Sequence, residues 1–501
     1  MLRQRPSRSA LLLAPIVFSL LLGTSSARPA AAPADSAGAT TVLQSTLHRG
    51  PAAASDSARR AYRRWVRQLR ARALADSIAR ADSLARADSL AQAALPPPRD
   101  YVAEVRANFT PENRAYSTTR AALGFMEPVY GILVGLFFLF SGLSAWMRDV
   151  ARGLSRRTYV QVLVYLAIYL VMGFVLGFPL AFYQGFALEH RYGLSTEGFG
   201  PWFLDLLKDL AVSLVFLGVV PLVRLAYVPI RRFPRRWWLV LGLGALPVIL
   251  AGTFIQPLVV DPLFNRFTPL ENKRLEARIL EVADRAGIPA RHVFQVDRSR
   301  QTRKFNAYVS GFGPSQRIVL WDTVLRGMTS DEIVFVVGHE AAHYRLRHMW
   351  WVILFFTGLS FVFFRLSAGF VRWSMARWGG RWGFTELHDI ASLPLFVVAL
   401  TLFSFLAQPG VNAFSRWLER DADTFGLELT RTNDAAASAF MKLGSQNRAD
   451  PEPAPFVEFF QYSHPPLLER MRYALAYRPW EEGRPNRFHR PDRRPSRLPM
   501  R

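Results

Sequence analysis

Apolar residues gather along this chain in blocks separated by short arginine-rich stretches, and six of the blocks have the length of a membrane span. A helix crossing ~30 Å of hydrocarbon needs roughly 20 predominantly apolar residues. The six runs cover residues 126–147, 159–183, 210–228, 237–259, 349–364 and 390–407. Charges inside them are rare, Arg224 near the end of the third being one, and Trp and Tyr collect at their ends as interfacial anchors do. The pattern predicts a predominantly α, polytopic helical membrane protein and argues against a soluble core.

The remaining patterns divide the chain. Residues 1–34 carry Arg3, Arg5 and Arg8, an apolar core at 10–23 and then Ser25-Ser26-Ala27. That is the layout of a signal peptide or N-terminal anchor, and the core is short for a span, which favours cleavage. Residues 35–100 are low in complexity and end in a hexad repeat, Ala75-Asp76-Ser77-Ile78-Ala79-Arg80 and two successors through Gln92, before Pro96-Pro97-Pro98. A period of six rotates the Ile and Leu positions around a helix, so no seam forms and a solvated helical spacer is expected. Residues 101–261 form an N-terminal membrane domain of four spans. Residues 262–480 hold a polar segment and two further spans, and 481–501 form a basic, Pro-rich tail expected to be disordered.

Within the polar segment, 271–286 has helical apolar spacing, 292–296 and 305–309 read as strands, and 317–321 pairs back after a turn at Gly311-Phe312-Gly313-Pro314. Thr329-Ser330-Asp331-Glu332 is a capping box. It opens a helix with Val336, His339, Glu340, His343 and Arg347 on one side.

The net charge of +24 does not point to nucleic acid, because the arginines crowd short loops between spans and the C-terminal tail. The loops 148–158, 229–236 and 365–381 fall on one side of the membrane, cytoplasmic by the positive-inside rule. The polar segment, the 184–208 loop and the C-terminus then face outward. There are no cysteines, so a metal would have to be held by His and carboxylates.

His339-Glu340-Ala341-Ala342-His343 supplies such ligands. Positions i and i+4 of a helix share a face, so two imidazoles can bind one Zn²⁺ with the glutamate placed to take a proton from zinc-bound water. A third ligand is needed from another element. The best source is the stretch 412–423, where Glu419 and Asp423 stand four apart: one can ligate while the other holds a ligand histidine. His348 suits an interfacial place or the outer contacts of the site. His464, in Tyr462-Ser463-His464-Pro465-Pro466, is either a structural turn residue or a partner for an oxyanion.

These residues together resemble the type I CAAX prenyl proteases, integral-membrane zinc metalloendopeptidases, and their bacterial relatives. The resemblance also rests on the 262–270 stretch, Asn306-Ala307-Tyr308, the 317–323 stretch, Ser415-Arg416 through Asp423, and Ser463-His464-Pro465-Pro466, and runs from about Asn108 to Leu475. It implies membrane helices enclosing a water-filled chamber, with a small α+β zinc-metalloprotease domain at 262–480. It implies one Zn²⁺ per chain on His339, His343 and Glu419, with Glu340 as general base and Asp423 and Arg416 behind the ligands. His464 would meet the scissile peptide or its oxyanion, and Asn306, Ala307 and Tyr308 would form an edge strand pairing with extended substrate.

The implied partners are a peptide or protein substrate and the lipid bilayer, with the protein a monomer that binds no nucleic acid. The export signal and loop charges place it in a bacterial inner membrane with the catalytic domain extracytoplasmic, whereas eukaryotic members face the cytosol. Ala341-Ala342 replaces the family's usual Leu-Gly, a long charged insertion before the motif is lacking, and six spans stand where the family has seven. Two alternatives are an HtpX-like quality-control membrane protease and a non-catalytic membrane scaffold. The scaffold would require a lost ligand or base, and none is missing.

Overall fold

The computed structural model describes residues 56–94, 99–216, 222–290, 292–310 and 317–489. The expected signal or anchor at 1–34, the turn at 311–314 and the tail from 490 lie outside the described residues. Helix α1 (Asp56–Ala94) belongs to a unit separate from the rest of the described chain, and its described side chains are largely exposed.

Among the described residues, five helices are long and apolar enough to cross a membrane. They are α2 (Pro111–Phe140), α3 (Thr158–Phe182, continued to Arg191), α4 (Trp237–Ile255, continued to Phe264), α7 (His348–Trp378) and α8 (Leu393–Thr430). The first span therefore differs from the expected 126–147. Thr110 caps α2 by accepting from the Asn113 N–H, Pro111 fits the first turn, and Gly142 at φ 77° stops the helix before Met147. The third expected span, 210–228, falls partly on helices Phe199–Leu214 and Leu222–Arg232, with 217–221 outside the described residues. Exposed apolar side chains such as Leu133, Val175, Leu243 and Leu354 mark the faces that the bilayer would cover.

Between α4 and α7 lies a four-stranded sheet in the order β1-β2-β4-β3. Strand β1 (Phe267–Pro269) is antiparallel to β2 (Val293–Val296), which runs parallel to β4 (Arg317–Trp321), and β3 (Ala307–Ser310) closes the far edge antiparallel to β4. Asn272 caps α5 (Lys273–Ala286), whose Leu275, Ile279 and Val282 share a core with Val293, Ile318 and Leu320 of the sheet. Each fully buried aliphatic side chain there contributes about 1.5–3 kcal/mol.

Helix α6 (Ser330–Arg345) begins at the predicted capping box: Thr329 accepts from the Glu332 N–H, and Glu332 accepts from the Thr329 N–H. It ends at Leu346, because Arg347 adopts φ 58° and a new helix starts at His348. Arg347 is therefore off the helix on which the spacing had placed it. Helices α9 (Asn433–Gln446), α10 (Pro455–Gln461) and α11 (Leu467–Ala476) complete the domain. The expected disorder beyond 480 is corrected for 481–489. The backbone N–H groups of Arg487, Phe488 and His489 all donate to the buried Glu428 carboxylate, and Phe488 packs on the core.

Candidate active site

Helix α6 is buried on every side from Glu332 to His343, so its polar residues need partners within the protein. Its closest neighbour is α8, and two glycines set the approach. A Cβ on Gly426 would lie 2.9 Å from the His339 backbone nitrogen, and one on Gly338 would lie 2.7 Å from Thr430 Cγ2. Only a residue without a side chain lets the two backbones come so near. The crossing brings Glu419 and Asp423, on successive turns of α8, against His339.

His339 Nε2 is 3.2 Å from Glu419 Oε2, His343 Nε2 is 3.6 Å from Oε1, and the two Nε2 atoms are 3.4 Å apart. One ligand atom from each of the three residues lies within 4.8 Å of the others. Among the described residues, neither oxygen of the fully buried Glu419 has a hydrogen-bond partner. A buried carboxylate without donors is costly, and two imidazole nitrogens converging on it make a donor set that a divalent cation such as zinc fits. Burial alone would lower the His339 pKa, but the Glu419 and Asp423 carboxylates outweigh it and raise it to about 9. Burial drives His343 well down despite Glu419, helped by the neighbouring His348 and His339.

Behind the ligands, His339 Nδ1 meets Asp423 Oδ1 at 2.8 Å. Arg470 of α11 clamps that carboxylate with Nε on Oδ2 at 2.8 Å and Nη2 on Oδ1 at 2.6 Å, and its guanidinium stacks over Phe440 at 4.3 Å. Sequence reasoning missed Arg470. Its only clue is an arginine on the apolar-patterned helix six residues beyond His464. His348 resolves to the outer contacts of the site, with Nδ1 2.8 Å from Nδ1 of His343.

His464 Nε2 lies 3.3 Å from Glu419 Oε2, and its side chain keeps 21% exposure where those of His339, His343 and Glu419 keep 1% or less. Arg416 is not behind the ligands as expected. Its Nη1 donates to the carbonyls of Tyr462 at 2.6 Å and Glu458 at 3.2 Å, fixing the end of α10 that leads to His464. Glu340 is buried beside His339.

Asn306, Ala307 and Tyr308 lie at and just before the start of β3, the edge strand. The Trp321 N–H donates to the Asn306 carbonyl. Antiparallel pairs alternate between bonded and non-bonded, so the N–H and C=O of Ala307 and Val309 point away from β4, where the Ala307 N–H donates to Asn306 Oδ1 at 2.9 Å.

The chain is similar to known proteins. Residues 269–478 match the model of Peptidase family M48, and 89–266 match that of the CAAX prenyl protease N-terminal region, described as five membrane helices. The chain is 36% identical over 290 residues to the uncharacterized metalloprotease YhfN of Bacillus subtilis, covering 58% of this chain and 68% of that one. It is 28% identical over 391 residues to the CAAX prenyl protease 1 homolog of Arabidopsis thaliana, covering 75% and 89%. The crystal structure of S. mikatae Ste24p matches with a TM-score of 0.64 at 27% identity, covering 74% of this chain and 88% of that one. The fold is thus a predominantly α, polytopic membrane protein whose helices enclose a chamber, with a small α+β metalloprotease domain.

Proposed function

Since this chain belongs to peptidase family M48 and is a membrane metalloendopeptidase resembling CAAX prenyl protease 1, we propose that it cleaves peptide bonds with one zinc ion held by His339, His343 and Glu419. The observation that carries this reading is the convergence of those three side chains with Glu340 next to His339 on the same helix. When bound, zinc supplies Lewis acidity that lowers the pKa of water to about 7 and polarises the scissile carbonyl.

The protein's own groups do the rest. Glu340 takes the proton of the attacking water on its carboxylate and returns it to the leaving amine. His464, the imidazole of the cluster that reaches solvent, donates to the oxyanion. Asp423 accepts from His339 Nδ1–H and so leaves Nε2 as the free donor atom. Extended substrate pairs with the outward C=O of Ala307 and the N–H and C=O of Val309, with Asn306 Oδ1 giving up the Ala307 N–H as substrate docks, a contact that reads backbone shape more than side chains. The substrate in this reading is an unmodified peptide or protein segment, and the protein acts as a monomer.

Purified protein and its Glu340→Gln variant, compared on an unmodified peptide library, test the mechanism. Cleavage is expected from the first and not the second; equal cleavage by both refutes the role of Glu340. Zinc content should fall in Glu419→Ala, and full occupancy would remove Glu419 from the ligand set.

Location belongs to the same proposal: a bacterial inner membrane, an N-terminal export signal, and a catalytic domain outside the cytoplasm, supported by the arginine-rich loops with the helices Phe199–Leu214 and Leu222–Arg232 counted as one further crossing. A reporter active only in the cytoplasm, fused after Arg501, should be silent; strong activity would reverse the orientation.

A further inference from the structure

We propose that the first half of α1, residues 56–74, is an amphipathic helix that lies on an anionic bilayer surface. The segment is helical throughout. At 100° per residue, positions Ala58, Tyr62, Trp65, Val66, Leu69 and Ala73 fall within an arc of about 100°. Arg59 and Arg70 flank that arc on one side and Arg72 on the other, while Arg60, Arg63, Arg64 and Arg67 occupy the opposite face. The acidic residue of the segment is Asp56 alone. From Ala75 the helix changes character: Asp76, Asp82 and Asp88 balance Arg80 and Arg86 along the repeat, and the apolar positions rotate away. Leu69 keeps 44% exposure, and Arg64, Arg67, Arg70 and Arg72 are exposed.

An apolar stripe between arginine flanks has to be covered by something that also takes up positive charge. A second copy of the helix would cover the stripe, but it would bring arginine flanks together with no glutamate to oppose them. A nucleic acid would neutralise the arginines and leave Tyr62, Trp65, Val66 and Leu69 in water. An anionic bilayer surface does both, with aromatic and aliphatic positions at the headgroup boundary and arginines on phosphates. The spans that follow from α2 onward hold the chain at a membrane already, which gives the segment a high effective concentration of lipid.

The chain has no cysteine, so Leu69→Cys accepts a single environment-sensitive fluorophore on the full-length protein. The labelled protein is reconstituted into vesicles of phosphatidylcholine alone, or of phosphatidylcholine and phosphatidylglycerol in equal parts. In the anionic vesicles the emission should shift to the blue and be quenched by brominated lipid. A label at Ser89→Cys, in the repeat, should respond to neither. Replacing Arg63, Arg64, Arg67 and Arg70 by glutamine should reduce the surface-bound population roughly fivefold for each arginine engaged. Identical emission in the two vesicle types overturns the proposal. So does a shift that follows protein density instead of lipid charge, which would mark a second copy. A shift produced in neutral vesicles by added duplex DNA would do the same.

Discussion

His339 and His343 stand one helical turn apart and face the same carboxylate, yet their far nitrogens are held by opposite kinds of partner. His339 Nδ1 meets a carboxylate that is itself gripped by Arg470, an ionic chain linking α6, α8 and α11. His343 Nδ1 meets a neutral imidazole, His348, carried just past the break at Arg347. A charged partner fixes the tautomer and raises the basicity of the ligating nitrogen. A neutral one fixes orientation alone: for His343 Nε2 to ligate, Nδ1–H donates to His348, whose own proton then sits on Nε2. One side of the site is built for strength and the other for aim.

The largest effect should come from breaking the ionic side. Asp423→Ala takes from the buried Arg470 its close carboxylate and leaves it the 3.8 Å approach to Glu419, a change costing about 3–5 kcal/mol; melting temperature and metal content should fall together. If the melting temperature is unchanged, the ionic chain is not what holds this side. Next is the helix crossing. Gly426→Ala places a methyl group 2.9 Å from the His339 backbone nitrogen, and such overpacking costs about 1–3 kcal/mol. Metal affinity should drop with stability, and a variant as stable as the parent would show that the helices can part freely.

The neutral side should separate the two properties. His348→Ala is expected to weaken metal binding about 10–100-fold while moving the melting temperature less than Asp423→Ala does. His348→Asn should restore part of the affinity. Equal losses of stability in the two variants would erase the contrast between the imidazoles.

The smallest effect concerns the start of the same helix. Burial would raise the Glu332 pKa, but Lys442 at 2.8 Å, the Ser438 hydroxyl and the Thr329 N–H together hold it below 4.5. A folded pKa below the unfolded one gives stabilisation that is complete above pH 4.5 and is lost as pH falls through the folded value. Acid denaturation of Glu332→Gln should therefore show a shallower pH dependence in that range, by roughly 1 kcal/mol. Parallel curves would remove Glu332 from the account.

What the sequence made legible was local. The capping box at Thr329, the strand at 317–321 and the i, i+4 imidazoles follow from short-range spacing; the need for a third ligand leads to the Glu419/Asp423 pair, and the family resemblance implies Glu419 of the two. Arg470 was illegible because its role depends on α11 folding back onto α8, 47 residues away. Arg416 was misplaced for the same reason: its partners are carbonyls of α10, and only the tertiary fold shows which way it turns. Arg347 broke a regular pattern through a backbone angle that no side-chain periodicity reports. The 481–489 stretch looked like a disordered tail by composition, yet its backbone donors met a buried carboxylate that the composition could not reveal.

Helix α8 runs for 38 residues from Leu393 to Thr430, with Pro409 inside it. At 1.5 Å per residue it is about 57 Å long, well beyond a hydrocarbon core of ~30 Å. Glu419 thus rides on the upper arm of a lever whose lower arm is immersed in lipid. One continuous helix therefore both crosses the bilayer and carries the carboxylate lodged against His339, so the anchor in lipid and the candidate site share a single backbone.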